Sequence, residues 1–197
     1  MQAFGLVVIV LFAVVIFWFV GAYNGLIALK NQTQNALKQI DVQLKRRHDL
    51  IPNLVQAVQG AMQFEKETLQ AVVEARNQAV KVSAGSDLQN VAKTAAAEGQ
   101  LTGALSRLMA VVERYPDLKA TTNIGQLQEE LTSTENKIGF ARQLFNDTAT
   151  QYNTRQQQFP TSIVAGFAHA MPADLWEISD DSERAVPKVD LSMKPKA

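Results

Sequence analysis

The 197-residue chain has no cysteine, which excludes disulfides, thiolate metal sites and a cysteine nucleophile. It has two histidines, His48 and His169, so a His-based zinc site or a Ser–His relay would have to be built from very little. It has no excess charge: 19 Lys+Arg balance 19 Asp+Glu, and a general nucleic-acid binder would usually be basic. The signatures H-E-x-x-H, G-x-S-x-G, G-x-x-x-x-G-K and G-x-G-x-x-G are all missing. Di-iron bundles need Glu-x-x-His pairs, and Glu65, Glu67 and Glu74 have no histidine three residues on. The expectation is a protein with no catalytic residue, no cofactor, no metal and no nucleic-acid partner.

What the first thirty residues lack is charge. No Lys, Arg, Asp or Glu precedes Lys30, and residues 3–22 read AFGLVVIVLFAVVIFWFVGA. A helix of that length covers about 30 Å, the hydrocarbon thickness of a bilayer. Fourteen Leu, Ile, Val or Phe lie between Phe4 and Val20. At the mid-membrane values for such residues they favour insertion by roughly 4–8 kcal/mol. A cleaved signal peptide fits poorly, because there is no positive n-region and no A-x-A site follows. Residues 1–22 therefore read as a transmembrane anchor. Lys30, Lys38, Lys45, Arg46 and Arg47 follow the span, an excess that predicts a cytoplasmic C-terminal side and an inner-membrane, single-pass protein.

Beyond the anchor, apolar residues recur at gaps of three and four. Leu26, Leu29, Thr33, Leu37, Ile40 and Leu44 form the first run. Pro52 then interrupts, either with a turn at Asp49–Ile51 and a new helix starting at Pro52, or with one long kinked helix. A second run ends near Gly85, a third from Leu88 stops at Tyr115-Pro116-Asp117, and a fourth runs from Ile124 to Tyr152. Ser86/Gln89 and Asn123/Gln126 have the spacing of capping boxes for the last two. The sustained 3–4 alternation of the fourth run is the seam of a coiled coil or bundle. The predicted fold is all-α: an N-terminal transmembrane helix, then an antiparallel four-helix bundle with long helices over residues 23–158.

Polar residues flank that seam. Asp41, Glu135, Arg142 and Asn146 each lie beside a seam position, as does Asn153, and they read as a structural polar seam, with Arg142 expected to pair with Asp41. The Lys45–His48 run reads as the polar end of the bundle, with His48 at the surface. After Phe159-Pro160 comes an apolar, broken segment, 159–178, without Asp, Glu, Lys or Arg before Asp174. Residues 179–197 are polar and charged and read as a disordered tail. Four antiparallel passes would bring Phe159, Phe167, Leu175 and Trp176 to the membrane interface. Three passes would point them away, and packing on the bundle's own flank is the competing use of the segment.

The strings YNGLIALKNQTQNALKQIDVQLKRRHDLIPNLV from Tyr23, ETLQAVVEAR from Glu67, LSRLMAVVERYPDLKA from Leu105 and LQEELTSTENKIGFARQLFNDTATQYN from Leu127 together resemble the LemA family of bacterial membrane proteins. The resemblance implies a single-pass membrane protein with an antiparallel helical bundle, without catalytic activity or cofactor. The functional expectation is a membrane-anchored scaffold or adaptor that forms a homo-oligomer or recruits other envelope proteins. The alternative is a membrane-shaping protein whose partner is membrane lipid.

Overall fold

The computed structural model describes residues 1–60, 65–115 and 122–177. Among them the chain is helical and contains no strand. Five helices follow in order: α1, Gln2–Gln59; α2, Lys66–Ser83; α3, Val91–Val112; α4, Thr122–Gln157; and the short α5, Thr161–Phe167. Pro116, Asp117 and the tail 179–197 lie outside the described residues.

The first helix is continuous for 58 residues, about 87 Å at the α-helical rise. It contains the one stretch among the described residues that is long and apolar enough to cross a membrane. Its side chains from Phe4 to Leu11 all face outward, with nothing in the protein to cover them.

Pro52 sits inside α1. Of the two alternatives at Pro52, the structure has one long helix and no turn at Asp49–Ile51. A proline has no N–H, so it strips the carbonyl four residues back of its helical partner. That carbonyl belongs to His48, and Arg76 Nε on α2 donates to it at 3.2 Å. A neighbouring helix thus supplies the missing donor, and the helix carries on to Gln59. Leu54 and Val58 therefore belong to α1, and the next described helix, α2, starts at Lys66.

Two hydrophobic cores result. The one nearer the span contains Leu26, Leu37, Ile40 and Leu44 of α1 with Ile138, Phe145 and Tyr152 of α4, and Val91 and Ala95 of α3. The distal one contains Ile51, Leu54 and Val58 with Leu69 and Val72 of α2, Leu101 and Leu108 of α3, and Ile124 and Leu131 of α4. Numbers that rise along α1 therefore meet numbers that fall along α4. Arg46–Glu130 and Arg47–Glu135, each at 2.5 Å, tie α1 to α4 between the two cores. The α2 and α3 helices have 18 and 22 residues against 36 in α4. They do not reach the span-proximal ends of α1 and α4. There α5 and the chain after it close the core with Val164, Ala165, Ala173 and Trp176, all buried.

The helix starts differ from the expected capping boxes. α3 begins at Val91 with Asn90 at its N-cap and no side-chain cap bond. The polar side chains organise the preceding turn instead. Asn90 Oδ1 accepts from the Asp87 N–H at 2.8 Å, its Nδ2 donates to the Gly85 carbonyl at 2.9 Å, and Asp87 Oδ1 accepts from the Gln89 N–H at 2.9 Å. Ser86 Oγ caps nothing. Asn123 lies within the first turn of α4, which starts at Thr122.

Candidate functional site

Between the two cores lies a layer of charge. Arg47 and Glu98 are buried to within 1% of full enclosure, and His48 is 5% exposed. Arg47 forms an ion pair with Glu98 and a second with Glu135 at 2.5 Å, and donates to Thr102 Oγ1 at 3.2 Å. His48 Nε2 meets the other Glu98 oxygen at 2.7 Å. One turn away, Arg76 holds the His48 carbonyl. Each of the four long helices therefore contributes an ionic side chain to one level: Arg47 from α1, Arg76 from α2, Glu98 from α3 and Glu135 from α4.

Burial alone would push the Glu98 carboxyl up, but the hydrogen bond from His48 and the charge of Arg47 outweigh it and hold it below the usual carboxylate value. Such a layer is costly to break from one side, because the partner left behind is a desolvated charge. The Lys45–His48 run is thus not the polar end of the bundle, and His48 is not a surface residue. Both lie mid-length because the seam continues from Leu44 through Arg47 and His48 to Ile51.

The expected polar seam is only partly assembled. Glu135 belongs to the layer just described. Arg142 does not pair with Asp41. Its guanidinium lies 5.1 Å from the centre of the Trp176 ring and 3.9 Å from Glu135 on its own helix. Asp41 keeps one carboxylate oxygen buried without a hydrogen bond, and burial pushes its carboxyl above the ordinary value.

Asn146 has a more definite task. Its Nδ2 donates to the Trp176 carbonyl at 3.0 Å, and its Oδ1 accepts from the Trp176 N–H at 2.8 Å. Asn153 makes the same two-way bond with Ala173, both at 2.8 Å. Seven helical residues rise about 10.5 Å. Three extended residues cover about 10 Å. The Asn146–Asn153 spacing on α4 therefore matches Trp176–Ala173 on the passing strap, which runs in the opposite direction. The Asp174 N–H completes the attachment on the Leu88 carbonyl.

The strap sorts the four residues expected at a membrane interface. Trp176 is buried at 4% exposure and packs in the span-proximal core, which corrects that expectation. Its N–H, carbonyl and ring are all engaged by α4. Leu175 is at the edge of exposure. Phe159 and Phe167 are exposed at 83% and 71%. Phe167 also touches the apolar first half of α1: its ring meets Phe19 edge-on with centroids 5.9 Å apart.

These features now bear on a comparison with known proteins. A profile of the LemA family matches residues 36–191, most of the chain. The chain belongs to the LemA family. Protein LemA of Metamycoplasma hominis is 28% identical over 177 residues, covering 89% of this chain and 75% of the relative. Magnetosome protein MamQ 2 of Paramagnetospirillum magneticum is 26% identical over 171 residues, 75% of this chain and 63% of that protein. Magnetosome protein MamQ of Magnetospirillum gryphiswaldense is 24% identical over 163 residues, 73% and 60% respectively. The chain thus spans less than two thirds of the magnetosome relatives' length. Together with the apolar first half of α1, these likenesses mark a membrane-associated protein.

In this LemA-family chain the family match begins at residue 36, beyond the apolar stretch, and takes in the ionic layer and both asparagine clamps. Sequence reasoning missed Glu98, although a signal was present. The apolar run of α3 jumps from Ala95 to Leu101, and residue 98 is the missing seam position. Among the described residues no group of three or more His, Asp or Glu is placed to hold a metal ion.

Proposed function

We propose that this protein is a membrane-anchored scaffold or adaptor of the bacterial inner membrane, with an antiparallel four-helix bundle in the cytoplasm and no chemistry of its own. The observation that carries this reading is the continuity of α1. One helix without a break runs from the apolar stretch through both cores, so the orientation of the bundle follows the orientation of the anchor. The bundle itself is supported by the falling register of α4 against α1 and by an ionic layer drawn from four helices. The ion pairs that Arg47 makes with Glu98 and Glu135 favour a structural role for this layer over a catalytic one.

For partners, the outer face of the α1–α4 pair offers Val42, Phe140 and Leu144, all exposed, with Lys38 and Lys137 at the sides. Self-association or recruitment of an envelope protein would cover them. Phe140→Ser is expected to leave folding intact and to lower the mass of the assembly in lipid nanodiscs or mild detergent. A monomer in both wild type and variant, with no crosslinked partner in cells, would overturn the scaffold reading. Orientation is read separately: protease added to spheroplasts should spare the bundle.

A further inference from the structure

The exposed side of α5 carries a row of large apolar side chains next to the apolar stretch of α1. Phe159, Ile163, Phe167 and Met171 are all exposed, at intervals of four residues. The opposite side of the same segment is already used: Thr161, Val164 and Ala165 are buried, and Ala173 and Trp176 follow into the span-proximal core. The outward residues are therefore not required by the protein's own packing. No Asp, Glu, Lys or Arg lies between Phe159 and Ala173.

The position of this face is fixed by Phe167 on Phe19. Phe19 is three residues before Ala22, the end of the apolar stretch read as the span, so it sits about 4.5 Å inside the hydrocarbon edge of an anchored helix. A segment held at that level is at the depth where interfacial helices bury their apolar faces. The turn that ends α5 pairs backbone groups within the segment, which favours contact with lipid. α5 closes with the Ala170 N–H on the Ala165 carbonyl at 3.0 Å and the His169 N–H on the Gly166 carbonyl at 3.2 Å. His169 takes the left-handed conformation that this ending needs, with φ 47°.

We propose that this segment is a lipid-seated foot, in which Phe159, Ile163, Phe167 and Met171 enter the headgroup–acyl boundary of the leaflet that α1 leaves. This rests on the reading of residues 3–22 as a membrane anchor. The anchor gives one point of attachment and the foot a second, beside it. Two points stop the bundle from turning about the axis of α1. Asn146 and Asn153 hold the strap that ties the foot to the bundle.

The absence of cysteine makes the test direct. The full chain carrying Ile163→Cys is labelled with an environment-sensitive fluorophore and placed in nanodiscs of phosphatidylcholine and phosphatidylglycerol. The lipids carry spin-label quenchers either near the headgroup or near the chain terminus. Phe12→Cys reports the anchor, and Asn136→Cys, exposed on α4, reports the bundle's surface. The label at 163 is expected to be quenched severalfold more by the shallow than by the deep quencher, that at 12 by the deep one, and that at 136 by neither. An unquenched label at 163 with a quenched label at 12 overturns the foot and leaves the anchor standing. A blue-shifted label at 163 that lipid does not quench, with energy transfer between copies, assigns the face to a second copy and also overturns the foot. An unquenched label at 12 overturns the anchor and the foot with it.

Discussion

The two halves of the helical body solve the same packing problem by different means. In the distal half α1, α2, α3 and α4 all contribute to a core of large aliphatic side chains, including Leu54, Val58, Leu101, Leu108 and Ile124. Most backbone groups there are bonded within the helices, the His48 carbonyl being held instead by Arg76 of a neighbouring helix. In the span-proximal half α1 and α4 run on beyond α2 and α3, and an extended strap takes their place. A strap cannot satisfy its own N–H and C=O groups, so Asn146 and Asn153 do so with paired amide bonds. The core of that half combines aliphatic side chains and alanines with three large rings, Phe145, Tyr152 and Trp176. Helices can be exchanged for extended chain provided that side-chain amides take over the hydrogen bonding.

The largest effect is expected at the layer that joins the halves. Glu98→Ala leaves Arg47 buried without its principal partner and should cost about 3–5 kcal/mol, seen as a lower midpoint in chemical denaturation of both halves at once. Glu98 also sets a pH dependence. Its folded value lies below the ordinary 4.5. Its contribution to stability is therefore present above that value and is lost as pH falls through the folded one. Glu98→Gln should flatten this acid limb.

Trp176→Ala should cost about 3–5 kcal/mol, as for large aromatic truncations, but in one half only. Hydrogen exchange should speed up at the amides of 26–44 and 141–152 and stay unchanged at 101–112. Equal acceleration in both halves would dissolve the distinction drawn above. Asn146→Ala removes two strap bonds and should cost about 1–3 kcal/mol, again confined to the span-proximal half.

A finer test concerns Pro52. Arg76→Ala strands the His48 carbonyl and should cost about 1–3 kcal/mol. In a Pro52→Ala background, the new N–H at residue 52 satisfies that carbonyl, so the same change should cost clearly less. Additive effects would show that Arg76 does not compensate for the proline. The smallest expected effect is at Asp41. Asp41→Asn removes a charge that burial disfavours and should raise the melting temperature slightly at neutral pH.

The helical content, the long apolar start of α1 and the seams of α1 and α4 were legible because the spacing of apolar residues reports helix faces directly. The fate of Pro52 was not, since it depends on Arg76, a residue 24 positions away on another helix. Arg47, His48 and Glu98 were legible in position but not in state. They occupy seam positions, yet a charged residue reads as exposed until its partners are known. The strap was the least legible part. Its hydrogen bonds come from asparagines 20 and 30 residues earlier, and no local pattern announces them. The same holds for Trp176, which reads as an interfacial aromatic and is in fact a core residue.

Rigid coupling of the bundle to the membrane is the central claim, and it rests on α1 continuing through the membrane exit and through Pro52. Spin labels at Asn24→Cys and Gln56→Cys, both exposed on α1, test it by electron–electron distance measurement in nanodiscs. Thirty-two helical residues separate the two positions, so a continuous helix gives one narrow distribution near about 48 Å. A broad distribution, or a main distance well short of that value, would reveal a hinge and contradict the account.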